Sequence, residues 1–104
     1  MAGIGIVERG NCLETQAAVR NIEGNGHFVI YNTRADRALN EPGIEIFVVV
    51  KLLWDVGCLL RAGKRVIYID SQHNPSYDLP GYIFVSSDAL YLLEAAIQKL
   101  LSGM

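Results

Sequence analysis

Apolar positions along the chain follow two rhythms. In GIGIV (Gly3–Val7), HFVIYN (His27–Asn32), IEIFVVV (Ile44–Val50), RVIYID (Arg65–Asp70) and YIFVS (Tyr82–Ser86) they crowd into short runs of β-branched and aromatic residues, which predict five strands. The third run is apolar almost throughout, so it is expected to be buried on both faces, in the middle of a parallel sheet. Between the runs, apolar residues recur at helical spacing. Asn11 stands three residues before Glu14, an N-cap with its capping-box partner, and opens a helix over Cys12–Glu23. Leu13, Ala17, Ala18 and Ile22 form its expected inner side, and GNG (Gly24–Gly26) stops it. A helix from about Asp88 to Leu101 follows the last strand, capped by Ser86 or Ser87, with Ala89, Leu93, Ala96, Ile97 and Leu100 as its inner stripe. The polar connection TRADRALNEPG holds at most one helical turn, around Ala35–Leu39, ending near Pro42.

The segment LLWDVGCLLRAGKRVIYID (Leu52–Asp70) carries the middle helix. At about 100° per residue, Leu52, Leu53, Val56, Leu59 and Leu60 share the core arc. Asp55 sits on the border of that arc, in the first turn, and Trp54, Cys58 and Arg61 point the other way. Strands alternating with helices predict one α/β domain over residues 1–104: a flavodoxin-like, five-stranded parallel sheet of order 2-1-3-4-5 with helices on both faces.

Composition agrees with this reading and narrows the function. The chain has 104 residues, 51% of them hydrophobic, which suits one domain with a real core. A net charge of −2 gives no bulk attraction to a nucleic-acid polymer or a membrane surface. Cys12 and Cys58 fit neither a zinc nor a disulfide pattern; they are expected to be small buried hydrophobes in a reducing, cytoplasmic compartment. The N-terminus lacks the basic region of a signal peptide, and no apolar run reaches the ~18 residues of a membrane span.

In sheets of this kind, ligands bind beyond the carboxyl ends of the strands, where strand order reverses. That point lies between the first and third strands. The loops meeting there offer Glu8, Arg9, Gly10 and Asn11 after the first strand, Lys51 after the third, Asp70, Ser71, Gln72, His73 and Asn74 after the fourth, and Ser86, Ser87 and Asp88 after the fifth. Loops are polar wherever they meet water, so the cluster carries the expectation more than any one member. Asp55 admits two roles. An acid in the first turn is favoured by the helix dipole, and the same carboxylate is placed to lean over the strand ends toward a ligand. Trp54, facing outward, points to a subunit contact. Gly3 and Gly5 of GIGIVERG lie within the strand and Gly10 alone follows it, so the glycine set that a dinucleotide fingerprint needs after the strand is missing; P-loop and GxSxG motifs are absent. His27 opens a strand and is expected to be structural. No cofactor or metal is implied. A phosphoacceptor receiver domain would need an aspartate after the third strand, where Lys51 stands.

At EIFVVVKLLWDVGCLLRAGKRVIYID the chain resembles the nucleoside 2-deoxyribosyltransferase-like superfamily. The matching pieces are Asp55-Val56-Gly57, Ala62-Gly63-Lys64 and the strand Val66-Ile67-Tyr68-Ile69, and YIFVSSDALYLLEAAIQKL resembles the family's closing strand and helix. Toll/interleukin-receptor-like domains share the general layout. The resemblance implies a nucleoside or nucleotide ligand and cleavage or transfer at the N-glycosidic bond. The family's helix acid, usually glutamate, attacks the anomeric carbon; the matching residue is Asp55, one methylene shorter. Glu8 or Asp70 would serve as acid/base or as acceptor for a sugar hydroxyl, and Arg9 and Lys51 would hold a phosphate, helped by the first helix's N-terminus. The family often completes its pocket across subunits, which implies a homo-oligomer through the Trp54 face. The alternative is a catalytically silent nucleotide-binding or protein-interaction module.

Overall fold

The computed structural model describes residues 3–7, 13–32, 43–51, 53–71, 81–86 and 88–102, with backbone only at 13–15, 18, 31, 32, 53 and 54. Five strands, β1 (Gly3–Val7), β2 (Phe28–Asn32), β3 (Ile46–Val50), β4 (Arg65–Asp70) and β5 (Tyr82–Ser86), pair in parallel in the order β2-β1-β3-β4-β5. Among the described residues, three α-helices accompany them: α1 (Leu13–Gly24), α2 (Leu53–Arg61) and α3 (Leu93–Leu101). The flavodoxin-like topology predicted from the strand and helix rhythm is the topology observed.

Alternation along each strand builds two apolar layers. One face carries Ile4 and Ile6 of β1, the even-numbered residues of β3, and Ile67 and Ile69 of β4, closed over by Val19 and Ile22 of α1 and by Leu93, Ile97 and Leu100 of α3. The other carries Val7, Phe47, Val49, Val66, Tyr68 and Tyr82, covered by Val56 and Leu59 of α2. All five residues of β3 are buried, as its unbroken apolar run requires. Each aliphatic side chain buried this fully contributes about 1.5–3 kcal/mol. No helix among the described residues is long and apolar enough to cross a membrane.

The sequence expectations need local corrections. Among the described side chains of α1, Val19 and Ile22 are buried, while Ala17 is exposed: the larger side chains turn inward. Leu13 and Ala18 lie outside the described side chains, as do Leu52, Leu53, the Asn11–Glu14 capping box and the turn at 35–39. The last helix is shorter than expected. Residues Leu90–Leu92 form a 3₁₀ turn, and α3 starts at Leu93 with no side-chain cap. The Ser86 hydroxyl instead accepts a hydrogen bond from the Asp88 N–H at 3.3 Å, tightening the turn after β5. Its stripe of Leu93, Ala96, Ile97 and Leu100 is buried as expected. Cys58 is half-buried, because it lies off the core arc of α2. Cys12 is outside the described residues.

The glycines of β1 have a physical role. A Cβ on Gly3 would stand 2.0 Å from the Gly43 carbonyl oxygen, and one on Gly5 would stand 3.1 Å from the Phe47 ring. The first glycine admits the backbone entering β3, and the second admits a large ring from the neighbouring strand.

Candidate functional site

The strand β3 turns into α2 within two residues, and the turn is made by Lys51. Its φ of 60° is left-handed, a conformation that L side chains avoid and that no other non-glycine among the described residues adopts. The Lys51 N–H donates to the Ile69 carbonyl at 2.9 Å, which extends the β3–β4 ladder by one bond past the last paired residues and pins the turn. The chain therefore enters α2 directly from the end of β3. Asp55 falls in the first turn of that helix. It is half-buried and has no hydrogen-bond or ion-pair partner among the described residues. It neither caps its own helix nor answers a basic side chain there.

Asp70, the last residue of β4, occupies the same edge and the same face of the sheet as α2. The alternation that buries Val66 and Tyr68 under α2 sets Asp70 next on that side. Its carboxylate is held from both ends. The Tyr68 hydroxyl donates to Oδ2, and the Ser71 N–H donates to Oδ1 at 2.6 Å, with the Ser71 hydroxyl at 3.4 Å from the same oxygen. The Tyr68 bond, more than any other interaction, holds the Asp70 carboxyl below its ordinary value; partial burial opposes it, and Ser71 and the charge of Lys51 add to it. Tyr68 itself is pushed well above the usual phenol range, first by burial and then by the carboxylate it serves. Its ring is 2% exposed and lies 6.2 Å from that of Phe84, tilted by 49°. Ser86 pairs in register with Asp70 on the next strand. Lys51, Asp70 and Ser86 thus form one polar row across the carboxyl ends of β3, β4 and β5.

Four of the residues expected at the site, Lys51, Asp55, Asp70 and Ser86, fall at one edge of the sheet. Glu8, Arg9, Gly10, Asn11, His73, Asn74 and Ser87 lie outside the described residues, and Trp54 is described only as backbone in α2. Among the described residues, no group of His, Cys, Asp and Glu is placed to hold a metal. A polar surface groove of about 280 Å³, lined by Ile44, Glu45, Gly63, Lys64 and Arg65, lies at the opposite, amino end of β3 and β4, away from this row. His27, expected to be structural, is buried and bonded to Glu94 of α3.

The chain matches no known protein-family model and no curated protein.

The sequence reading missed Tyr68. It registered only as one apolar member of a strand, yet it sits two residues before Asp70, on the same face, with a hydroxyl that must find a partner when buried. A tyrosine two positions before a strand-terminal acid is the signal that was available.

Proposed function

We propose that the chain binds a nucleoside or nucleotide at the carboxyl edge of its sheet, at the reversal between β1 and β3, and acts on the N-glycosidic bond with Asp55 as nucleophile. The observation that carries this reading is the Lys51 turn. It launches α2 straight from the central strand and leaves a half-buried carboxylate in the helix's first turn, without a partner among the described residues, at the same edge as the Lys51–Asp70–Ser86 row. An acid with no partner among the described residues, at the fold's customary ligand position, supports a role toward a ligand. The resemblance of Asp55-Val56-Gly57 to the deoxyribosyltransferase-like motif supports the same chemistry.

In that chemistry a carboxylate oxygen of Asp55 attacks the anomeric carbon. The carbon–nitrogen bond breaks with its electrons going to the base; a purine or pyrimidine takes up a proton from solvent water as it leaves, and nicotinamide leaves as the neutral base. The glycosyl ester that remains is opened by water, giving hydrolysis, or by a second base, giving transfer. Lys51, with Arg9, is the cation for a phosphate, and Asp70 is the acceptor for a sugar hydroxyl.

The test is incubation with a panel of deoxynucleosides, deoxynucleotides and nicotinamide dinucleotide, following released base. The expected result is release that falls by roughly 10⁴-fold in Asp55→Ala with the fold retained. Base release unaffected by that substitution refutes the role of Asp55.

One observation favours a second reading, a catalytically silent nucleotide-binding module. Asp70 is held as the anion by Tyr68 and Ser71, so it is a poor proton donor to a departing base. Thermal stabilisation by a nucleotide with no base release supports this module.

A further inference from the structure

We infer that Tyr68 is a positioning residue of the proposed site: its buried hydroxyl fixes the Asp70 carboxylate so that one acceptor position stays open, beside Lys51, for a hydroxyl of the ligand. The inference rests on the nucleoside-or-nucleotide reading above and assigns a part to a residue that touches no ligand itself.

The geometry carries it in three steps. The Tyr68 ring is locked, because it is 2% exposed, packs in the layer under Val56 and Leu59 of α2, and lies against Phe84. A locked ring gives a fixed hydroxyl, and that hydroxyl donates to Oδ2 of Asp70. On the other oxygen the Ser71 N–H, fixed by the backbone, donates at 2.6 Å. A carboxylate has about four acceptor positions. Tyr68 takes one, and the Ser71 N–H and hydroxyl take two more. The carboxylate is thus oriented by groups on both sides, and the described residues leave one acceptor position open. Packing alone would be served as well by phenylalanine, so the hydroxyl needs another reason, and orientation of Asp70 supplies it. A single aimed acceptor next to a lysine fits a ligand that presents a hydroxyl near an anionic group, as a sugar phosphate does.

The experiment measures binding of the common 2′-deoxynucleosides and their 5′-monophosphates to the full chain, wild type and Tyr68→Phe, Asp70→Asn and the double variant, by titration calorimetry. It also follows the Asp70 side-chain carbon by NMR across pH. Tyr68→Phe is expected to weaken binding of the 5′-monophosphate by about tenfold and to raise the Asp70 titration midpoint. In the Asp70→Asn background, the same substitution is expected to cost nothing further, which a merely structural tyrosine would not obey. Asp70→Asn alone, which leaves the core untouched, is expected to lose at least as much. Wild-type affinity in either single variant, or an equal loss from Tyr68→Phe in both backgrounds, overturns the inference while leaving the binding reading intact. A wild type that binds none of these probes sinks the binding reading, and the inference with it.

Discussion

The imidazole of His27, one residue ahead of β2, meets the carboxylate of Glu94 in α3 at 2.9 Å, Nε2 to Oε1, across 67 positions of sequence. The contact ties the edge strand to the C-terminal helix over the face that α1 and α3 share. Glu94 Oε1 also receives the Gln98 amide at 3.3 Å, while Oε2 is buried with no hydrogen-bond partner among the described residues. A carboxylate in that position depends on its histidine.

His27→Ala is therefore expected to destabilise the fold by about 1–3 kcal/mol, because it leaves a largely buried acceptor with fewer donors. The loss is smaller when Glu94 is already leucine. Urea melts of the two single variants and the double variant measure the coupling, and additive effects would show that the pair contributes nothing as a pair.

The glycines separate by surroundings. Gly3→Ala would drive a methyl into the Gly43 carbonyl, which is backbone and has little room to retreat, so a loss of more than about 3 kcal/mol or failure to fold is expected. Gly5→Ala meets only the side chains of Phe47 and Ile44, at 3.1 and 3.2 Å, and should cost about 1–3 kcal/mol. Gly24, the last residue of α1, has nothing within 4 Å of an added Cβ and no positive φ. Gly24→Ala should stabilise by about 0.4–1 kcal/mol. Thermal melts of the three variants check the order.

Tyr68 and Asp70 act on stability at opposite ends of the pH scale. The phenol is raised in the folded chain, so its contribution is complete below the ordinary phenol value of about 10 and is lost as pH climbs toward the raised one. The carboxyl is lowered, so its contribution is present above the ordinary carboxylate value of about 4 and is lost as pH falls through the lowered one. Tyr68→Phe should flatten both limbs of the stability–pH curve. Denaturant midpoints from pH 2 to 11 test this; an unchanged acid limb would mean that Tyr68 does not hold the carboxylate.

Much of the architecture was legible from rhythm. β1, β4 and β5 begin and end where their apolar runs do, and the unbroken run of β3 announced a central strand. Ile44 and Glu45 look like part of that strand, but the chain there is still crossing Gly3, and pairing begins only at Ile46. The 3₁₀ start of the last helix was hidden because Leu90 and Leu93 satisfy helical spacing as well. At the site, Asp55 and Lys51 could be placed by their order after β3. The hold on Asp70 could not, since it depends on which side chains the sheet's pleat sets side by side. The left-handed turn at Lys51 had no signal, because lysine is not one of the residues, chiefly glycine, asparagine and aspartate, that mark such a turn.

That turn gives the sharpest test of a conflict between stability and function. Glycine adopts φ near 60° freely, whereas lysine does so at a cost of about 1 kcal/mol. Lys51→Gly relieves the strain, gives back part of the gain through a freer unfolded chain, and keeps the N–H that bonds Ile69. A net stabilisation of about 0.5 kcal/mol is expected. Lys51→Val keeps the strain, adds a β-branched side chain and should destabilise. If the lysine stays in that conformation to hold a phosphate, the more stable Lys51→Gly variant must lose its preference for 5′-monophosphates over nucleosides, by about tenfold or more. Stability from urea melts and affinity from calorimetry decide between strain kept for binding and strain without consequence. A Lys51→Gly chain that is more stable and binds both ligand classes as the wild type does would remove Lys51 from the site.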